Sequence, residues 1–193
     1  APIGNVTGFT VPVATLATGA NNTAVGYQAL SANTTATQNT AVGQGALLTN
    51  TTGVNNVAVG SGALNLNTTG SSNVAVGYNS LLNSTGGACS AVGLQSGRAI
   101  TSGTQNTTLG ANAGFSGTND LTTGANNTII GYNAAASSAT VSNEITLGNA
   151  SITSMRVPGI AATFGTTIST ISTLTVGQGA GAIATNTALG FSA

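Results

Sequence analysis

The stretch Asn22–Leu30 reads Asn-Thr-Ala-Val-Gly-Tyr-Gln-Ala-Leu, and this nine-residue phrase recurs along most of the chain. It returns as NTAVGQGAL from Asn39, NVAVGSGAL from Asn56 and NVAVGYNSL from Asn73, and then in weaker copies. The phrase glycines follow one another at intervals of 17, 17, 17, 16, 17, 21, 17, 29 and 13 residues. They are Gly26, Gly43, Gly60, Gly77, Gly93, Gly110, Gly131, Gly148, Gly177 and Gly190. A repeat this short cannot bury its own apolar side chains, so the copies are expected to stack around a continuous core.

Each phrase has the character of a β-strand and a turn rather than of a helix. The Val-Gly pair inside the phrase and the Asn-Thr-Thr segments between phrases are poor helix formers, and no sustained heptad indicates a coiled coil. Glycine and asparagine suit turns with positive φ, so the first eight phrase glycines are predicted to be structural turn residues. The sequence therefore predicts an all-β parallel β-solenoid, or β-roll, of about ten coils with a ~17-residue period. Each coil is expected to contain a strand, a glycine turn, a second short strand and an Asn-Thr-Thr turn.

The alternation of side chains along the phrase predicts which face of the strand is buried. The residue before each glycine is apolar, and the residue two positions earlier is β-branched or apolar in most copies. We assign this face to the core, which then contains Val25, Val42, Val59, Val76 and Val92. A second apolar column lies four residues after the glycine, at Leu30, Leu47, Leu64 and Leu81. The opposite face is formed by Ala24, Ala41, Ala58, Ala75 and Ala91, and these small side chains are predicted to pack against other copies of the chain.

An asparagine column opens most of the phrases. Its members are Asn22, Asn39, Asn56, Asn73, Asn106, Asn127 and Asn186. Stacked identical amides form hydrogen-bonded ladders along a fibre axis, whereas a lone asparagine shapes its own turn. The sequence leaves both interpretations open.

The composition excludes several classes of function. Only 2% of the 193 residues are charged, the net charge is zero, and His is absent. Phosphate neutralisation needs clustered Lys and Arg, so we expect no nucleic-acid partner, and no apolar run is long enough for membrane insertion. Disorder is also disfavoured, because 40% of the residues are hydrophobic and only 3 are Pro.

The chain has very few side chains that could take part in catalysis or metal binding. Without His, no Ser-His or Cys-His pair exists, and the two carboxylates, Asp120 and Glu144, are more than one repeat apart. The single cysteine, Cys89, is interpreted as a small core residue. We therefore predict no enzyme activity and no catalytic, cofactor or metal site. Tyr27, Tyr78 and Tyr132 follow the turn glycine and either form a stripe facing a receptor or glycan, or merely cover the edge of the roll.

The quoted phrases resemble the head repeats of trimeric autotransporter adhesins, and more closely the repeat arrays of bacteriophage tail fibres and related viral fibres. The resemblance implies a left-handed parallel β-roll, a homotrimer, and a role in attachment or scaffolding outside the cell. We therefore expect a shaft segment of a phage tail fibre that presents or spaces a receptor-binding tip, located on a virion appendage or cell surface. The alternatives are a bacterial surface adhesin or self-assembling filament subunit, and an ice-binding solenoid with a regular Thr-x-Thr column.

The array does not fill the chain. We expect an N-terminal connector over residues 1–20, the repeat array over 21–148 and a second connector over 149–172. Ile168, Ile171 and Leu174 recur every third residue across the end of this connector, and this spacing suggests that the chains intertwine there. Residues 173–193 are interpreted as the start of a second, truncated array, which predicts that the sequence is a fragment of a longer fibre.

Overall fold

Short strands form the whole regular structure of the described chain. The structure, a computed structural model, describes residues 19–154, and within them it contains strands and turns but no helix. The strands are β1 (Thr23–Val25), β2 (Thr40–Val42), β3 (Val57–Val59), β4 (Val74–Val76), β5 (Ser90–Val92), β6 (Thr107–Leu109), β7 (Thr128–Ile130) and β8 (Ile145–Leu147).

The strands form one parallel sheet in sequence order, β1 to β8. Each residue pairs with the equivalent residue of the next phrase; Ala41, for example, is opposite Ala58. The predicted all-β parallel solenoid with a period near 17 residues is therefore confirmed. Eight strands give about seven turns rather than the ten expected. Two of the ten phrases on which the expected number of coils was based, those at Gly177 and Gly190, lie outside the described residues.

The predicted second strand of each coil is wrong. The segment after the turn glycine is a series of turns, and the leucines in it have left-handed φ values: 52° at Leu30, 50° at Leu47 and Leu64, and 48° at Leu81. An extended strand cannot contain left-handed residues, so pairing ends at the glycine. The coils nevertheless remain connected here, because the backbone N–H of Leu47 donates to the carbonyl of Ala63 at 3.0 Å.

The prediction of which strand face is buried is also wrong. The central residue of the strands points inward: Ala41, Ala58, Ala75, Ala91 and Ile129 are fully buried, and Thr108 is 1% exposed. The predicted core valines Val25, Val42, Val59, Val76 and Val92 lie on the outer face, where Val25 is 45% exposed. The leucine column Leu30, Leu47, Leu64 and Leu81 is buried with the alanines in one core cluster. Where leucines fill the narrow interior, the inner side of the strand has alanine; β6 and β7, whose coils lack this leucine, have the larger Thr108 and Ile129 there.

The core changes composition after the fourth coil while its packing is maintained. Gly97 and Gly114 occupy the position of the buried leucines. The larger side chains of Ile100 and Leu121, which lie at the next corner of the coil, are buried in the core instead. A Cβ atom on Gly97 would lie 3.0 Å from Leu81 and 3.2 Å from Ile100. Large and small residues therefore exchange places so that the interior stays filled.

The turn glycines allow the coils to approach closely. All eight predicted turn glycines have positive φ, for example 132° at Gly43. A Cβ atom on Gly43 would lie 2.6 Å from the carbonyl oxygen of Gly60 in the next coil. Only glycine combines this backbone conformation with this contact.

The irregular repeat lengths arise at corners and leave the strands in register. In the 16-residue coil, only Thr85 separates Ser84 from Gly86, whereas two residues separate Asn67 from Gly70 in the coil before. In the 21-residue coil, residues 115–120 connect Gly114 to Leu121, where two residues connect Gly97 to Ile100. The strands fall within the predicted array 21–148. The predicted intertwined segment and second array lie outside the described residues, and the left-handed sense of the coil stays a prediction.

Candidate interaction surfaces and interior hydrogen-bond columns

The asparagine column at the start of the phrases joins successive coils through their backbones. Asn39 is fully buried, its Oδ1 accepts from the backbone N–H of Asn56 at 2.9 Å, and its Nδ2 donates to the carbonyl of Gly53 at 2.9 Å. The same pair of bonds recurs at Asn22, Asn56, Asn73, Asn106 and Asn127. A direct amide-to-amide bond occurs in the described part of this column between Asn127 Nδ2 and Asn106 Oδ1, at 3.0 Å. The column is neither an amide-to-amide ladder nor a set of residues that only shape their own turns, because most of these amides bridge coils by bonding to backbone groups.

The asparagines that begin the Asn-Thr-Thr turns form a second buried column. From the sequence they were interpreted only as turn residues, so this column was not predicted. Asn67 Nδ2 donates to Asn50 Oδ1 at 2.9 Å and to the carbonyl of Gly70, in its own turn, at 3.0 Å. The column then continues through Ser84 to the apolar Ile100 and Leu121. The Oγ of Ser84 and the Oδ1 of Asn67 are buried without a hydrogen-bond partner. The shift from Asn to Ile at this repeat position is the sequence signal that indicates an interior site.

Cys89 occupies the place of an asparagine in the first column. Its backbone N–H donates to Asn73 Oδ1 at 2.9 Å, and its thiol lies 3.4 Å from the carbonyl of Gly103. Burial raises the pKa of the thiol, although N–H groups of Asn106 and Gln105 act in the opposite direction. A protonated, fully buried thiol is a structural residue rather than a nucleophile.

The charged groups in the described residues are not gathered into a site. Arg98 lies over the ring of Phe115, 4.9 Å from its centroid. Asp120 Oδ1 accepts from the backbone N–H of Gly117 at 2.7 Å within the corner insertion. Glu144 Oε1 accepts from the N–H of Ser137 at 2.9 Å and from the hydroxyl of Thr146 at 2.7 Å. Despite some desolvation, these hydrogen bonds keep the pKa of Glu144 below its ordinary value.

The outer face of the sheet is an apolar strip. We define the outer sheet face as the first and third residues of strands β1–β8. Its third-position column is apolar throughout: Val25, Val42, Val59, Val76, Val92, Leu109, Ile130 and Leu147. Leu109 is 46% exposed and Leu147 is 54% exposed. Contiguous exposed apolar residues on a protein surface usually mark an interaction site, so this face is the main candidate surface.

The three tyrosines also lie on the surface. Tyr27, Tyr78 and Tyr132 are 60%, 53% and 65% exposed, respectively. More than half of the surface of each tyrosine is therefore accessible to a partner.

An open depression of about 600 Å³ lies at the last described coil. Its lining residues include Ser116, Asn133, Thr146 and Asn149. Thr146 occupies the central strand position whose equivalents point into the core in earlier coils. The depression therefore lies at the end of the described part of the stack, beside the inner wall of the solenoid.

Residues 19–154 contain no group of three or more side chains able to hold a metal ion. No helix in this range is long and apolar enough to cross a membrane. No family model, curated protein or solved structure matches the chain, so the resemblance to adhesin and tail-fibre repeats has no support from these comparisons.

Proposed function

We propose that this chain is a structural shaft segment of an extracellular fibre, of the phage tail-fibre kind, that assembles as a homotrimer and spaces or presents a tip. The observation that carries the proposal is the outer sheet face, an apolar strip running along a nearly uncharged solenoid. The alanine face, which the sequence predicts to pack against other copies of the chain, points into the core and provides no support for assembly. Self-association is therefore assigned to the valine, leucine and isoleucine column instead.

The outer sheet face alone is smaller than a typical interface between two chains. Eight strands at about 4.8 Å spacing give a strip roughly 35 Å long and about 10 Å wide, or about 350 Å². A stable two-chain interface typically buries about 800 Å² on each partner. The homotrimer implied by the resemblance would therefore need flanking residues to add to the contact of the strip. The near absence of charge removes repulsion between the copies.

The test is the mass of the folded protein in solution, measured by sedimentation equilibrium. We expect three chains for the unmodified protein. Substituting Val59→Lys together with Val76→Lys places two charges in the strip and is expected to yield monomers. Thr52→Lys, an exposed change at the Asn-Thr-Thr corner, is the matched control and should leave the mass unaltered. A fully folded monomer of the unmodified chain would contradict the proposal.

The alternative of a bacterial surface adhesin or filament subunit uses the same apolar face. The sequence that flanks the array in the complete protein distinguishes the two. Ice binding is less well supported, since β3 and β4 have valine rather than threonine at both outer positions. Measurement of thermal hysteresis tests it directly.

A further inference from the structure

The exposed tyrosines recur at every third coil. Tyr27 follows β1, Tyr78 follows β4 and Tyr132 follows β7, each directly after the turn glycine. Successive coils of a parallel solenoid are about 4.8 Å apart, so neighbouring tyrosines in this column are separated by about 14 Å. The three positions span about 29 Å along the solenoid. This regular spacing is not required by the fold, because the intervening coils have Gln, Ser, Leu or Ala at the same position.

Each tyrosine is followed by a residue with a carboxamide side chain. These residues are Gln28, Asn79 and Asn133, with left-handed φ values of 59°, 52° and 51°. The second and third coils instead have glycine at this position, at Gly45 and Gly62, whereas the fifth and sixth have Gln95 and Asn112 without a tyrosine. Among the first seven coils, only those at every third position therefore combine an exposed tyrosine with a neighbouring carboxamide, a group that donates and accepts hydrogen bonds. In the seventh coil the amide is already partly engaged, because Asn133 Oδ1 accepts from Asn112 Nδ2 at 3.0 Å.

The chemistry of these pairs suits an uncharged sugar. A tyrosine offers a flat apolar surface and a polar hydroxyl, and it loses little conformational entropy on contact. The adjacent amide can bond to hydroxyl groups. No member of this tyrosine column in the described coils is charged, which disfavours nucleic acids and other polyanions.

We propose that the three tyrosine–carboxamide pairs form a binding face for a linear, uncharged polysaccharide running along the solenoid. A single sugar contacts one pair, whereas a polymer several rings long reaches the next pair about 14 Å away. Linked contacts of this kind raise overall affinity by about 10²- to 10⁴-fold over one contact. The inference goes beyond the proposed shaft function and does not depend on trimer formation.

Affinity chromatography of the folded protein on columns of immobilised neutral polysaccharides tests the proposal. The probes are a cellulose-type β-glucan, a starch-type α-glucan, a mannan and a galactan, with free glucose as competitor. At least one polymer should retard the protein, and glucose should not reverse the retardation. Replacing one tyrosine, as in Tyr78→Ala, should weaken the retarded complex about tenfold, and replacing all three should abolish retardation.

The control is Leu94→Ala, which removes an exposed apolar side chain from the same column without affecting a tyrosine pair. It should bind as the unmodified protein does. Sedimentation of the triple variant separates this proposal from the previous one, because its number of chains should not change. The inference is overturned if none of the four polymers retards the protein, if the triple variant is retarded equally, or if the triple variant loses its assembly.

Discussion

Replacing Cys89 by asparagine should make the protein more stable. In the first buried column, an asparagine contributes an acceptor to the N–H of the next phrase and a donor to a turn carbonyl, each at 2.9 Å in the case of Asn56. At Cys89 a thiol replaces this amide and lies 3.4 Å from the Gly103 carbonyl. Sulfur is a weak donor and a weak acceptor, so the N–H of Asn106 and the Gly103 carbonyl are poorly satisfied.

The size of the effect follows from the two hydrogen bonds that Cys89→Asn restores. A neutral hydrogen bond contributes about 0.5–1.5 kcal/mol net. Two such bonds, less the weak sulfur contacts and the loss of a small apolar side chain, give an expected gain of about 1–2 kcal/mol in the free energy of unfolding. The chain has no Trp, so unfolding in guanidinium chloride is best followed by far-UV circular dichroism, at a fixed protein concentration because assembly affects stability.

The reciprocal change in the preceding coil is the control. Asn73→Cys removes an acceptor from the N–H of Cys89 and a donor from the Gly86 carbonyl, both at 2.9 Å. It should destabilise the protein by about 2–4 kcal/mol, because buried polar groups lose their partners. The slope of the transition should be unchanged in both variants. If Cys89→Asn lowers the midpoint, or if Asn73→Cys leaves it unaltered, backbone bridging by this column is not what stabilises the stack.

Three further changes address the stack, the core and the last coil. Gly43→Ala should destabilise the protein by about 3 kcal/mol or more, because the added methyl group meets the next coil on a strained backbone; Gly117→Ala, with φ of 80° and no atom within 4 Å, should cost only about 1 kcal/mol in the same denaturation assay. Leu64→Ala should cost about 2–5 kcal/mol by leaving a cavity in the core, and an unchanged midpoint would argue against burial of this column. Because the pKa of Glu144 is lowered from its ordinary value of 4.5, its stabilising contribution is present above that pH and is lost as the pH falls through the lower folded value. The amide proton shift of Ser137 should follow this titration, and Glu144→Gln should abolish it.

The period of the sequence was sufficient to predict the solenoid. Phrases repeating every 17 residues, with glycine at one fixed position, are compatible with few structures except stacked coils. The strict spacing also predicted the observed register, in which Ala41 is opposite Ala58. The count of coils came out lower because the last phrases lie outside the described residues.

The buried face of the strands could not be predicted from alternation alone. A Val-Ala-Val strand such as Val57–Val59 alternates equally well in either orientation, and valine is usually the more buried residue. The width of the interior decides which strand face is buried. This width depends on the direction of the Leu64 side chain, which comes from a different part of the coil. That direction follows from its left-handed φ of 50°, which local sequence preferences do not predict for leucine.

The candidate surfaces were only partly accessible to sequence reasoning. Tyr27, Tyr78 and Tyr132 were singled out, and their places in the first, fourth and seventh phrases can be read from the sequence, but their exposure could not. The apolar outer face was overlooked because its residues were assigned to the core. The double bridging by Asn39 was missed because its partners, Asn56 and Gly53, are in the neighbouring coil.

The corner insertion at residues 115–120 has a practical consequence. Four additional residues are accommodated there, and the strands on either side, β6 and β7, still pair in full register. Foreign peptides grafted between Ser116 and Asn119 should therefore project from the rod without changing its pitch. Since each coil advances the chain by a fixed rise, the same graft made at the equivalent corner of another coil would display its cargo at a chosen height.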